Sequence, residues 1–161
     1  MRAPPMPEIV TPPSLPVTWR PRRGRLVAYG FAAAAVIGAL ILAIALPEPF
    51  GLADKLAMVG LGCVFAGVLH LLGRCRVEAD GTGITLINAL RTHRYTWPQV
   101  IDVTLIDGEP WAKIDFADGS TVGAMGIQGS EKERARRQVA ELTALIHQHS
   151  EAGEPPPPTT P

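Results

Sequence analysis

The chain has 161 residues, with 15 Lys and Arg side chains balancing 15 Asp and Glu, so one domain with an appendage is the ceiling and no global field draws it onto nucleic acid. Hydrophobic residues at 47% exclude a wholly disordered chain, and two cysteines cannot build a disulfide framework. The charged share of 19% falls short of the roughly 25% of soluble domains, and that shortfall is informative.

Residues 1–25 open the chain with seven of its 16 prolines at positions 1–21. They predict a disordered, polyproline-like tail that ends in a juxtamembrane cluster of Arg20, Arg22, Arg23 and Arg25. Charges then vanish twice, over the 21 residues Leu26 to Leu46 and the 18 residues Leu56 to Gly73. As helices these runs span about 31 and 27 Å, close to the roughly 30 Å hydrocarbon core of a bilayer. A cleaved signal peptide fits poorly, because the first run is too long and ends in Leu46-Pro47-Glu48 rather than a small-x-small site. The pattern predicts a transmembrane helical hairpin over 26–73, closed by the breaker-rich link Pro47 to Lys55.

Basic residues set the orientation. Arg20, Arg22, Arg23 and Arg25 precede the first run, Arg74 and Arg76 follow the second, and the link holds only Lys55. Both termini are therefore expected in the cytoplasm of a multi-pass plasma-membrane protein. Gly30, Ala34 and Gly38, with Gly62 and Ala66, form small faces for close approach of the two helices or for a homo-oligomer. His70 reads as an interfacial residue rather than a proton relay, since no second acid or base lies in either run. Cys63 and Cys75 lie about 18 Å apart on one helix and so cannot pair with each other.

From residue 74 to 149 the period changes to that of strands. Six short β-prone segments start at Val77, Gly83, Thr92, Val100, Trp111 and Ser120. Asp80-Gly81, Asp107-Gly108 and Asp118-Gly119 are hairpin signals between or beside them. Six antiparallel strands in so short a stretch predict a curled sheet or small barrel. Trp97-Pro98 before Val100 predicts a corner. One helix follows: Ser130 as N-cap and Glu133 at N3 form a capping box, and Ala135, Val139, Leu142 and Ile146 make an apolar stripe. Residues 150–161, with five further prolines, read as a second disordered tail.

These features carry a resemblance. Leu15-Pro-Val-Thr-Trp-Arg-Pro21, Pro49-Phe-Gly-Leu-Ala-Asp54, Arg76-Val-Glu-Ala-Asp80, Tyr95-Thr-Trp-Pro-Gln-Val100 and Met125-Gly-Ile-Gln-Gly-Ser130 resemble small actinobacterial membrane proteins with a bacterial pleckstrin-homology (PH)-like domain, of the low-molecular-weight protein antigen type. The resemblance implies a bent antiparallel sheet capped by the last helix, and no enzyme activity or catalytic set. Domains of this kind usually have seven strands, one more than the six counted, so the segment around Val17 to Trp19 is a candidate edge strand.

The residues themselves offer little chemistry. Both cysteines lie in or beside an apolar run, and His147 and His149 point to different sides of a helix. Asp102, Asp107, Glu109, Asp115 and Asp118 include turn residues whose acids belong there for backbone reasons. No cofactor or metal is called for. One segment resembles an anion cradle: Gly123, Gly126 and Gly129 lead through Ser130 to a helix start bearing Lys132, Arg134, Arg136 and Arg137. The expected function is thus a non-catalytic interaction or scaffold module held at the inner leaflet, with the bilayer and a protein as partners. The alternatives are recognition of anionic lipid headgroups by Arg74, Arg76, Lys132, Arg134, Arg136 and Arg137, and a role as a small subunit of a membrane transport or envelope complex.

Overall fold

The computed structural model describes residues 11–151. Strand β1 (Val17–Trp19) leads into helix α1 (Arg22–Ala45), which turns back through a short link into helix α2 (Leu52–Gly73). Strands β2 (Arg76–Ala79), β3 (Gly83–Ile87), β4 (Thr92–Thr96), β5 (Val100–Thr104), β6 (Trp111–Phe116) and β7 (Thr121–Gln128) follow, then helix α3 (Glu133–Glu151). They form a four-stranded antiparallel sheet ordered β1-β2-β3-β4 and a three-stranded one ordered β5-β6-β7.

The strand count is therefore seven, and the added strand is the candidate edge around Val17 to Trp19, which lies within the stretch otherwise read as a tail. Val17, Thr18 and Trp19 pair with Ala79, Glu78 and Val77. The helix pair is thus an insertion between two neighbouring strands of one sheet, where the local pattern shows only a pendant anchor. The remaining tail residues, 1–10 and 152–161, lie outside the described residues.

Both apolar helices extend further than their charge-free runs. α1 takes in Arg22, Arg23 and Arg25, and α2 starts at Leu52. Arginine is a good helix former, and Asp54 accepts a hydrogen bond from the Gly51 backbone N–H at 2.9 Å, which starts α2 early. At about 36 and 33 Å either helix is long enough to cross a bilayer. Their large side chains, Leu26, Phe31, Ile44 and Leu61 among them, are exposed, unlike those of a buried core helix. The contact face also differs from the expected one. A Cβ on Gly62 would meet Ala39 Cβ and the Ala35 carbonyl, whereas Gly30 and Gly38 look into open space. Alanines 28, 32 and 43, spaced to share the face of 35 and 39, are the buried residues of α1.

The core lies between the two sheets and α3. Val77, Ile84, Leu86, Ile114, Ile127, Leu142 and Leu145 are almost fully buried, each contributing about 1.5–3 kcal/mol through removal from water. The corner predicted at Trp97-Pro98 is a single 3-10 turn over Trp97–Gln99 that carries the chain from one sheet to the other. Trp97 stacks on His149 of α3 at 4.3 Å between ring centroids and donates its indole N–H to the Asp80 carbonyl.

Two Asp-Gly turns need glycine for φ, at Gly108 (+94°) and Gly119 (+81°). At the β2–β3 turn the Asp80 carboxylate accepts hydrogen bonds from the Thr82 hydroxyl and backbone N–H, at 2.6 and 2.7 Å. Thr82 first of all holds the Asp80 carboxyl below its ordinary value, and Ser120 does the same for Asp118. Carboxylates depressed in the folded state give stability that is present above the unfolded value of about 4 and lost as pH falls through the folded value. Acid unfolding followed by circular dichroism should thus show a loss of stability below about pH 4 that is shallower in Asp80→Asn. An unchanged slope would show that this turn plays no part.

Candidate functional site

Insertion of the helix pair between β1 and β2 places the outer face of the four-stranded sheet against the base of the helices. Alternation on β2 buries Val77 and Ala79 and turns Arg76 and Glu78 outward. The register carries that row across the sheet: Glu78 faces Thr85, which faces Arg94, while Arg76 faces Ile87, which faces Thr92. From the helices come Arg25 and Tyr29 of α1, with His70 and Gly73 of α2. Arg20 and Arg74, at the two strand–helix joints, complete the wall of a cavity of about 500 Å³.

Five guanidiniums, those of Arg20, Arg25, Arg74, Arg76 and Arg94, share this cavity with the one carboxylate of Glu78. Arg76 Nε pairs with Glu78 Oε1 at 2.5 Å. Arg25 stands over the Tyr29 ring, 5.6 Å from its centroid, a cation–π contact. The Tyr29 hydroxyl lies 3.2 Å from His70 Nδ1, and Tyr29 also packs close to Gly73. Arg20, Arg25, Arg74 and Arg94 make no ion pair among the described residues. A second groove shares Arg20, Arg25 and Tyr29 and runs along α1 to the exposed Leu26.

The other expected anion cradle does not form. Gly126 lies within β7, where a Cβ would come 2.5–2.6 Å from the backbone of Arg76 and Val77. Gly129 is backed by the Glu109 carbonyl, and Gly123 by the Trp111 indole. Protein fills the space above each glycine, so close packing rather than ligand access accounts for them.

The capping box is likewise absent. Ser130 sits in a 3-10 turn over Gly129–Glu131, Lys132 takes φ +40°, and α3 starts only at Glu133. Glu131 has a different task. Its carboxylate accepts the Arg23 backbone N–H at 2.7 Å, at the N-terminus of α1, and lies 3.0 Å from Arg134 Nε. Arg134 also donates to the Arg20 carbonyl at 3.3 Å. Trp19 donates its indole N–H to Glu141 at 2.7 Å. These contacts join α3 to the root of α1.

Of the sequence candidates, the structure brings Arg20, Arg25, Arg74 and Arg76 together, with Arg22 close by in the adjoining groove. Of the basic side chains of α3, Arg134 reaches them, in the adjoining groove and through the Arg20 carbonyl, while Arg136 and Arg137 stand apart. Arg136 pairs with Asp107 and Glu133 at 3.2 and 3.3 Å, and Arg137 is exposed at the surface. The pocket beside Lys132 and Arg136 also holds Asp107 and Glu109, so its charges balance. Arg94, which sequence reasoning passed over, is central. Its outward position was readable from the alternation of Thr92, Arg94 and Thr96, but its partners depend on sheet register. Cys63 and Cys75 are both free, and burial pushes the Cys75 thiol up.

Comparison with known proteins finds relatives of the chain. A family model described as a bacterial PH domain matches residues 74–144. An uncharacterized protein of Mycobacterium tuberculosis and one of Mycobacterium bovis are each 33% identical over 129 residues, covering 80% of this chain and 84% of theirs. A match of that length necessarily takes in α2 and every strand after it. The family model begins at Arg74 and therefore omits β1. No solved structure matches the chain.

Proposed function

The chain belongs to the bacterial PH-domain family together with its mycobacterial relatives, and on that premise we propose that it is a membrane-anchored, non-catalytic interaction module facing the cytoplasm. The observation that carries this reading is the insertion of two long, outwardly apolar helices between β1 and β2 of the PH-like sheet. With strands of one sheet at both roots of the helix pair, the module sits at a fixed height and angle on the leaflet. That confinement raises its effective concentration for membrane partners without any new contact. Arginines at the helix roots, against a link whose charge is Glu48 alone between α1 and α2, support the cytoplasmic placement of the domain.

Single-cysteine labelling tests the topology. In a chain with Cys63 and Cys75 replaced by serine, Glu48→Cys should react with a membrane-impermeant maleimide in intact cells. Gln148→Cys on α3 should react only after permeabilisation. The reverse pattern would overturn the orientation, and equal reaction of both in intact cells would overturn the spanning hairpin.

A further inference from the structure

We propose that the arginine-lined cavity between the sheet and the helix roots binds the phosphate headgroup of an anionic membrane lipid. The proposal rests on the membrane-anchored reading and gives that module a ligand. Five guanidiniums from five separate positions in the fold converge against one carboxylate. Like charges gathered in a partly enclosed space repel one another, so the arrangement is favourable only when an anion joins them. Guanidinium is the side chain best matched to phosphate, since its planar fork donates two parallel hydrogen bonds. Thr85 and Thr92 on the same wall add hydroxyl donors.

The surroundings favour a lipid over a free phosphate. The adjoining groove shares Arg20, Arg25 and Tyr29 with the cavity and continues to Leu26, a residue 77% exposed on α1. A phosphate held by the arginines would leave its acyl chains lying along that apolar helix. The cavity also sits at the end of the apolar helix pair, the level at which the headgroups of the cytoplasmic leaflet lie. The mixed-charge pocket beside Asp107 offers neither feature.

The test uses the full-length chain in a neutral detergent, with native mass spectrometry as readout. Phosphatidylglycerol and phosphatidylcholine with the same acyl chains serve as probes. One phosphatidylglycerol should be retained at least about tenfold more tightly than phosphatidylcholine. With about a fivefold loss for each basic group removed, Arg76→Gln with Arg94→Gln should weaken retention by about thirtyfold, whereas Arg137→Gln on α3 should leave it unchanged. Arg20→Gln with Arg25→Gln should give the same loss from the helix side, which guards against a folding defect in the sheet variant. Equal retention of the two lipids, or wild-type retention by both double variants, would overturn the site. Displacement of the lipid by equimolar inorganic phosphate or glycerol 3-phosphate would reassign the cavity to a soluble phosphate and overturn the lipid proposal. Alkaline carbonate extraction reports on the anchoring separately: retention in the membrane pellet without a lipid preference sinks the site alone, and release sinks the anchoring.

Discussion

Trp19→Ala should destabilise the PH-like domain by about 3–5 kcal/mol, the usual cost of removing a buried large aromatic side chain. Trp19 is 3% exposed, pairs with Val77 across the β1–β2 ladder, and reaches α3 through its indole N–H. Its loss opens a cavity in the core and also leaves the partly buried Glu141 carboxylate without its donor. Trp19→Phe separates the two effects. Much of the ring packing remains, but the hydrogen bond to a charged acceptor is gone, at a cost of about 1.5–3 kcal/mol. Denaturant unfolding of the detergent-solubilised chain, followed by fluorescence of Trp97 and Trp111, measures both. A midpoint for Trp19→Ala equal to that of the wild type would show that β1 is dispensable. The same reasoning predicts that a fragment starting at residue 74, although it contains the whole family match, lacks an edge strand and part of the core.

Gly126→Val should cost about 3 kcal/mol and weaken the arginine cavity at the same time. A Cβ at this position would stand 2.5–2.6 Å from Arg76 C and Cα and Val77 N, so β7 and β2 would have to part by about 1 Å where the two sheets meet. Backbone on the far side of the contact cannot swing away as a flexible side chain would. Because Arg76 lies on the strand that is pushed, lipid retention should fall in the same variant. Gly81→Ala is the matched control, since nothing lies within 4 Å of its added Cβ and its φ is negative. Thermal unfolding by circular dichroism should show a clear drop for the valine and little change for the alanine. Equal melting of the two variants would contradict the close crossing of the sheets.

The two glycine positions also show where local reading ends. Gly126 and Gly129 beside a basic helix start resemble an anion cradle when only neighbouring residues are visible. Their actual neighbours, Arg76 and Glu109, are brought up by the fold from distant positions. Ser130 and Glu133 have the spacing of a capping box, yet Glu131 between them is claimed by Arg23, 108 positions away, and by Arg134, and the helix begins at Glu133 rather than at Glu131. Competition from a distant partner overrode a correct local motif.

What the amino-acid sequence determined by itself is what rests on near neighbours. The charge-free runs mark the two apolar helices, alternation marks β2 to β7, Asp-Gly steps mark their turns, and the 4-3-4 apolar stripe marks the buried face of α3. Each depends on the composition of one unbroken run, on side-chain periods of 2 or 3.6, or on the φ preference of a single residue, and all of these are legible among residues near in sequence. Only the tertiary structure decided that Val17–Trp19 closes the sheet, that Trp19 bonds Glu141 across 122 positions, and that Arg94 joins Arg20, Arg25, Arg74 and Arg76. Strand register and the docking of one element on another depend on shape and pairing across the whole chain, and no local pattern encodes them.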